Sequence, residues 1–172
     1  MDQHEVEEII DNAMSEPNLN ESDKTLKRAV VALLEGKLLG GNINSNLSTE
    51  TICKLLESVQ VRDYLLWTMY NEAPKRVKFF EWWNTQLPYL SRLEDDLKAN
   101  ALNLMAGVLL LNGDESNAKA AAEVSLKYKD TNFPNLILVA VDKISGGTGG
   151  PGMGAKIFLN SMKDIKEEEI LS

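Results

Sequence analysis

The chain has 172 residues, 44% of them apolar, and a formal net charge of −8 at pH 7. That length supports one sizeable hydrophobic core, and the acidic balance argues against non-specific attraction to nucleic acid or an anionic membrane. One cysteine, Cys53, rules out an intrachain disulfide, and a single histidine, His4, leaves too few ligands for a zinc site of the usual kind. No basic-then-apolar segment opens the chain, and the longest apolar run, Leu104 to Leu111, is too short to span a bilayer. A cytoplasmic location without membrane contact is therefore expected.

In chain order, Val6, Ile9, Ile10, Ala13 and Met14 share one helical face, and Pro17 ends that helix. Ser22 is placed to cap a second helix whose stripe is Leu26, Ala29, Val30, Leu33 and Leu34, ending near Gly36 to Gly41. After the turn-prone GGNINSN, Ser48 caps a third helix carrying Ile52, Leu55, Leu56 and Val59. A fourth is expected from about Arg62-Asp63, with Tyr64, Leu65, Leu66, Trp67 and Met69. Pro74 suits the first position of a fifth, running to about Gln86 and holding Phe79, Phe80, Trp82 and Trp83. Pro88 is read as the next break.

Leu90, Leu93, Leu97, Ala101, Leu104, Val108 and Leu111 then recur at three- and four-residue steps, a long helix stopped by Asn112-Gly113. Asp114 or Ser116 starts an alanine-rich helix through Ala118, Ala121, Ala122, Ser125 and Leu126. The run Leu136 to Val141 is short and apolar, so periodicity alone leaves helix and strand open. Its place after an alanine-rich helix favours helix. With no alternating strand before it, the chain reads as all-α, about eight helices in a single domain spanning 1–172. Within it, 1–44 holds the first helices, 45–147 a helical core, and 148–172 a glycine tether and terminal helix.

The segment AGVLLLNGDESNAKAAAEVSLKYKDTN, from Ala106 to Asn132, resembles one tetratricopeptide-type helix pair. Ala106, Gly113-Asp114, Ala118 and Ala122 occupy the small-residue, turn and packing positions, while Asp130 stands where that pattern has proline. The resemblance implies antiparallel helical hairpins in the second half. Across residues 47–146, LSTETICKLLESVQVRDYLL followed by LLNGDESNAKAAAEVSL is similar to the helical portion of an actinobacterial family of unknown function. That likeness implies a helical fold and no known activity. Members carry an α/β portion ahead of these helices that is not found here.

Chemistry-bearing patterns are few. SGGTGGPGMGAK, Ser145 to Lys156, follows an apolar run and holds a lysine, as a phosphate-binding loop does. Yet Ala155 separates Gly154 from Lys156, Ile157 stands where a magnesium-binding hydroxyl belongs, and Pro151 removes an amide donor. A hinge or helix stop suits Gly146 to Gly154 better than a nucleotide cradle. Arg62 and Asp63 form a candidate partner-binding pair, the plainer reading being that Asp63 caps the fourth helix while Arg62 ties it to a neighbour. Cys53 reads as an inert, half-buried thiol. The aromatics Phe79, Phe80, Trp82 and Trp83 cover more than one helix face, so one pair packs inward and the other is open to a partner.

These readings converge on a non-enzymatic interaction module without cofactor or metal. Its expected partner-binding residues are Trp82, Trp83, Phe79, Arg62 and Asp63, with a groove beside the Ala118 to Ala122 helix. A self-assembling accessory protein of a phage or other mobile element is the alternative, and a phosphate or nucleotide binder through Gly146 to Gly154 is the second.

Overall fold

The structure, a computed structural model, describes residues 2–41, 46–143, 170 and 171. Among them are eight α-helices, one 3-10 turn and no strand. Leu136 to Val141 is helical, which settles the one ambiguous assignment in favour of an all-α fold. The chain divides between Arg92 and Leu93 into two compact units, a boundary inside the 45–147 stretch that the sequence groups together.

The first unit holds α1 (Gln3–Ser15), the 3-10 turn (Leu19–Glu21), α2 (Lys24–Leu38), α3 (Thr49–Leu55), α4 (Val59–Asn71) and α5 (Ala73–Leu90). Short polar side chains start most of these elements by accepting from the free amides of the first turn. Asp2 accepts from Glu5 N at 2.8 Å, Asp23 from Thr25 N at 2.6 Å, Ser48 from Thr51 N at 3.1 Å and Ser58 from Val61 N at 3.2 Å. Two expected starts are thereby corrected. Asp23, not Ser22, caps α2, since Ser22 closes the 3-10 turn by donating its hydroxyl to Leu19 O. Ser58 caps α4, so Asp63 lies inside that helix and is no cap.

Pro88 is the third correction: α5 runs through it to Leu90. The carbonyl that Pro88 cannot serve belongs to exposed Asn84, a position open to solvent, and only two residues follow before the helix ends. Leu90 consequently closes α5 instead of opening the next helix.

α2 packs against α1, α4 and α5, and α3 against α1 and α5. The core they enclose includes Val6, Val30, Leu33, Leu34, Ile52, Cys53, Leu65, Leu66, Met69 and Phe79, none more than 1% exposed. Ile170 and Leu171 group with this unit and are buried too. The 148–172 tether and terminal helix otherwise lie outside the described residues, as does the Gly146 to Gly154 loop.

The second unit holds α6 (Asp95–Leu111), α7 (Glu115–Tyr128) and α8 (Asn132–Lys143). Its first turn is tight. Gly113 adopts φ +78°, a left-handed conformation that glycine reaches without Cβ strain. Gly113 N then donates to Leu110 O at 3.1 Å and Asp114 N to Leu109 O at 2.9 Å, the paired bonds of a Schellman stop. Asp114 also caps α7 by accepting from Asn117 N at 3.3 Å. One residue thus ends one helix and starts the next, and such a short connection makes α6 and α7 antiparallel neighbours.

Small side chains let these two helices approach. Ala99, Ala106, Ala118 and Ala122 are each 0% exposed. Ser125, also fully buried, crosses from α7 to α6 and donates to Asn103 Oδ1 at 2.6 Å. α8 adds Phe133, Ile137, Ala140 and Val141 to the core at helical spacing. The second unit is therefore built of helical hairpins.

Candidate interaction surface

The five residues singled out from the sequence fall into two separate places on the first unit. On α5, Phe79 is wholly buried and Trp82 is 8% exposed, so neither offers a face to a partner. Phe79 is the hub of the cluster, with ring centroids of Phe80, Trp82 and Trp83 at 6.1, 6.0 and 6.1 Å. Phe80 and Trp83 are half-buried at its edge. Phe79 and Trp82 form the inner pair, while Phe80 and Trp83 are half-buried where an open pair was expected. The Trp82 indole Nε1 is buried without a hydrogen-bond partner among the described residues, which marks it as a packing residue tolerated at some cost.

Arg62 and Asp63 lie on α4, half-buried and turned on each other. Arg62 Nε and Nη2 both donate to Asp63 Oδ1, at 3.1 and 3.0 Å. Burial pushes the Asp63 carboxyl above its usual range, and the adjacent guanidinium offsets this only in part. Burial likewise lowers Arg62 against the pull of Asp63. With one carboxylate oxygen taken by its own neighbour, the pair reads as a satisfied ion pair of the fold.

The outward face of α5 holds what the aromatic cluster lacks. Ala73, Val77, Phe80, Asn84 and Leu87 follow one another at alternating steps of four and three, which places them in one row along the helix. Val77 is 56% and Leu87 48% exposed; Ala73 and Asn84 are exposed and Phe80 half-buried. A row this regular and uncharged is unusual for a solvated helix face, where charge is the rule. Val77, Asn84 and Leu87 are outside the sequence expectations because the dense aromatics beside them carry the stronger single-residue signal. The four-three spacing was the available signal.

A second feature absent from the sequence expectations is buried Lys27, 2% exposed on α2. Its Nζ donates to Asn20 O at 3.1 Å and Gln60 Oε1 at 2.7 Å. Asn20 Oδ1 in turn accepts from Ser58 Oγ at 2.5 Å and Gln60 N at 3.2 Å. This network ties the 3-10 turn to α2 and α4. Lost hydration, with Lys24 nearby, holds the Lys27 amine below its ordinary value, and Asp23 opposes the shift. Beside it, Asn18, Asn20, Lys54, Glu57 and Ser58 help line a cleft of 420 Å³. The Asn20 and Ser58 side chains there are already engaged, which suits a structural tie rather than a ligand cradle.

Cys53 is fully buried, more so than expected, and burial raises its thiol to about 12. At neutral pH it is a protonated, inert packing group. Among the described residues no group of three or more His, Cys, Asp or Glu is placed to hold a metal, and no helix is long and apolar enough to cross a membrane. No family model, curated protein or solved structure matches this chain.

Proposed function

We propose that this chain is a protein-interaction module whose contact surface is the outward row of α5. The observation that carries the reading is the exposure of Val77 and Leu87 on a helix whose opposite face, through Phe79, is locked into the core. A rigid helix with one anchored and one uncovered apolar face is how a partner helix is received. Half-buried Phe80 within the row and Trp83 at its margin would add aromatic contact area. Arg62 and Asp63, closed on each other, play no part in it. The resemblance to a tetratricopeptide pair fits a binding role, with the partner held by the first unit rather than beside Ala118 to Ala122.

A photo-crosslinking residue placed at Val77 or Leu87 in the source cells tests this. Specific adducts at both positions, and none at exposed Glu123 on α7, are expected. Equal labelling at all three, or none at any, would remove the site.

A further inference from the structure

We infer that the partner of the α5 row is the α5 row of a second copy, packed in parallel. The inference rests on the reading of α5 as the contact surface and adds the occupant. In heptad terms Val77 and Asn84 are a positions, and Ala73, Phe80 and Leu87 are d positions. In a parallel pair each of these meets its own counterpart. Asn84 then faces Asn84 of the second copy, where two amides hydrogen-bond each other and fix the register.

The flanks are self-complementary in the same arrangement. Residues before each a position face residues five further along on the partner helix. That brings half-buried Arg76 near Glu81 of the second copy and Trp83 near Pro88, one contact between opposite charges and one apolar contact. Glu81 and Pro88 are exposed, and the only ion pair described for Glu81 is a long 3.5 Å contact to exposed Lys78. An antiparallel pair sets a positions against d positions, so Val77 meets Leu87 and Asn84 meets Phe80, with Glu81 beside Glu81, placing like charges together and an amide on an aromatic ring. Charge and polarity thus both select the parallel pairing. The row covers only about two heptads, so a weak dimer is expected, with dissociation in the micromolar range or above.

Sedimentation equilibrium of the full chain, with cysteine pairing as a readout of orientation, tests the inference. Val77→Cys, Asn84→Cys and Leu87→Cys replace exposed residues, so the variants keep the fold, and buried Cys53 stays silent. Each variant alone is expected to oxidise to a disulfide-linked dimer, faster as concentration rises. Glu81→Lys is expected to weaken the dimer several-fold. Disulfides that form only when Val77→Cys and Leu87→Cys are mixed would overturn the parallel pairing. A chain that stays monomeric up to millimolar concentration would overturn the second copy as occupant. In that case adducts to another protein at Val77 leave the interaction reading standing, whereas their absence removes both.

Discussion

Each unit is held together internally, and the two differ in the reach of their contacts. In the second, the α6–α7 hairpin is made by neighbours in the chain: Gly113 and Asp114 turn it, and Ala118, Ala122 and Ser125 pack it. In the first, the ties are long. Asn20 meets Ser58 and Gln60 at sequence separations of 38 and 40, and Thr49 donates to Gln86 at a separation of 37. Lys75 joins Glu35 of α2, at 3.6 Å, to Glu72, at 2.7 Å. Locally coded structure is robust to distant change, while a unit stitched by distant partners depends on each stitch. The difference also bears on function, because the uncovered helix face belongs to the stitched unit.

That contrast can be broken or sharpened by substitution. All three tryptophans, Trp67, Trp82 and Trp83, lie in the first unit, so their fluorescence follows it alone while amide exchange follows the second. The largest effect is expected from Phe79→Ala, which empties the hub of the aromatic cluster. A loss of about 3–5 kcal/mol should appear in denaturant unfolding followed by fluorescence. Next comes Ala122→Leu, which forces a larger side chain between α6 and α7. It should cost about 1–3 kcal/mol, read as faster amide exchange in α6 and α7. An equal fluorescence change from both variants would mean that the units do not respond separately.

Gly113→Ala is smaller, about 1–2 kcal/mol. Nothing lies within 4 Å of the added methyl, so the cost is the left-handed backbone alone. The subtlest effect is a pH dependence from Lys27. Its folded pKa lies below the ordinary lysine value of 10.5, so between the two the unfolded chain binds more protons than the folded one. Stability therefore gains as pH rises toward 10.5 and the gain stops above it. Lys27→Met lacks this term, so the stability difference between wild type and variant should grow in favour of wild type across that window. A flat difference would show that Lys27 titrates as a solvated amine.

Much of the fold was legible where the signal is local. The helices, the Gly113 stop, the Asp114 start and the buried alanines all follow from residue type and spacing. The misses have physical causes. Ser22 and Asp23 are both good caps, and only the 3-10 turn decides which is used. Pro88 breaks helices when its partner carbonyl is buried, and here that carbonyl lies on exposed Asn84. Lys27 sits beside the expected stripe of Leu26, Ala29, Val30, Leu33 and Leu34, and a lysine is assigned to water unless its partners are known. Those partners lie on the 3-10 turn and α4. The interaction face was half legible: one pair of aromatics turned inward as expected, but the outward row needed the heptad spacing of Val77, Asn84 and Leu87.

The central claim is that α5 has a holding face and a binding face. The double variant Val77→Ser/Leu87→Ser, measured for unfolding in dilute solution and for self-association by sedimentation, tests it most directly. The predicted result is stability within about 0.5 kcal/mol of wild type, as for exposed positions, with association lost. A stability loss of several kcal/mol with association intact would contradict it, because the row would then be packing and the binding face would lie elsewhere.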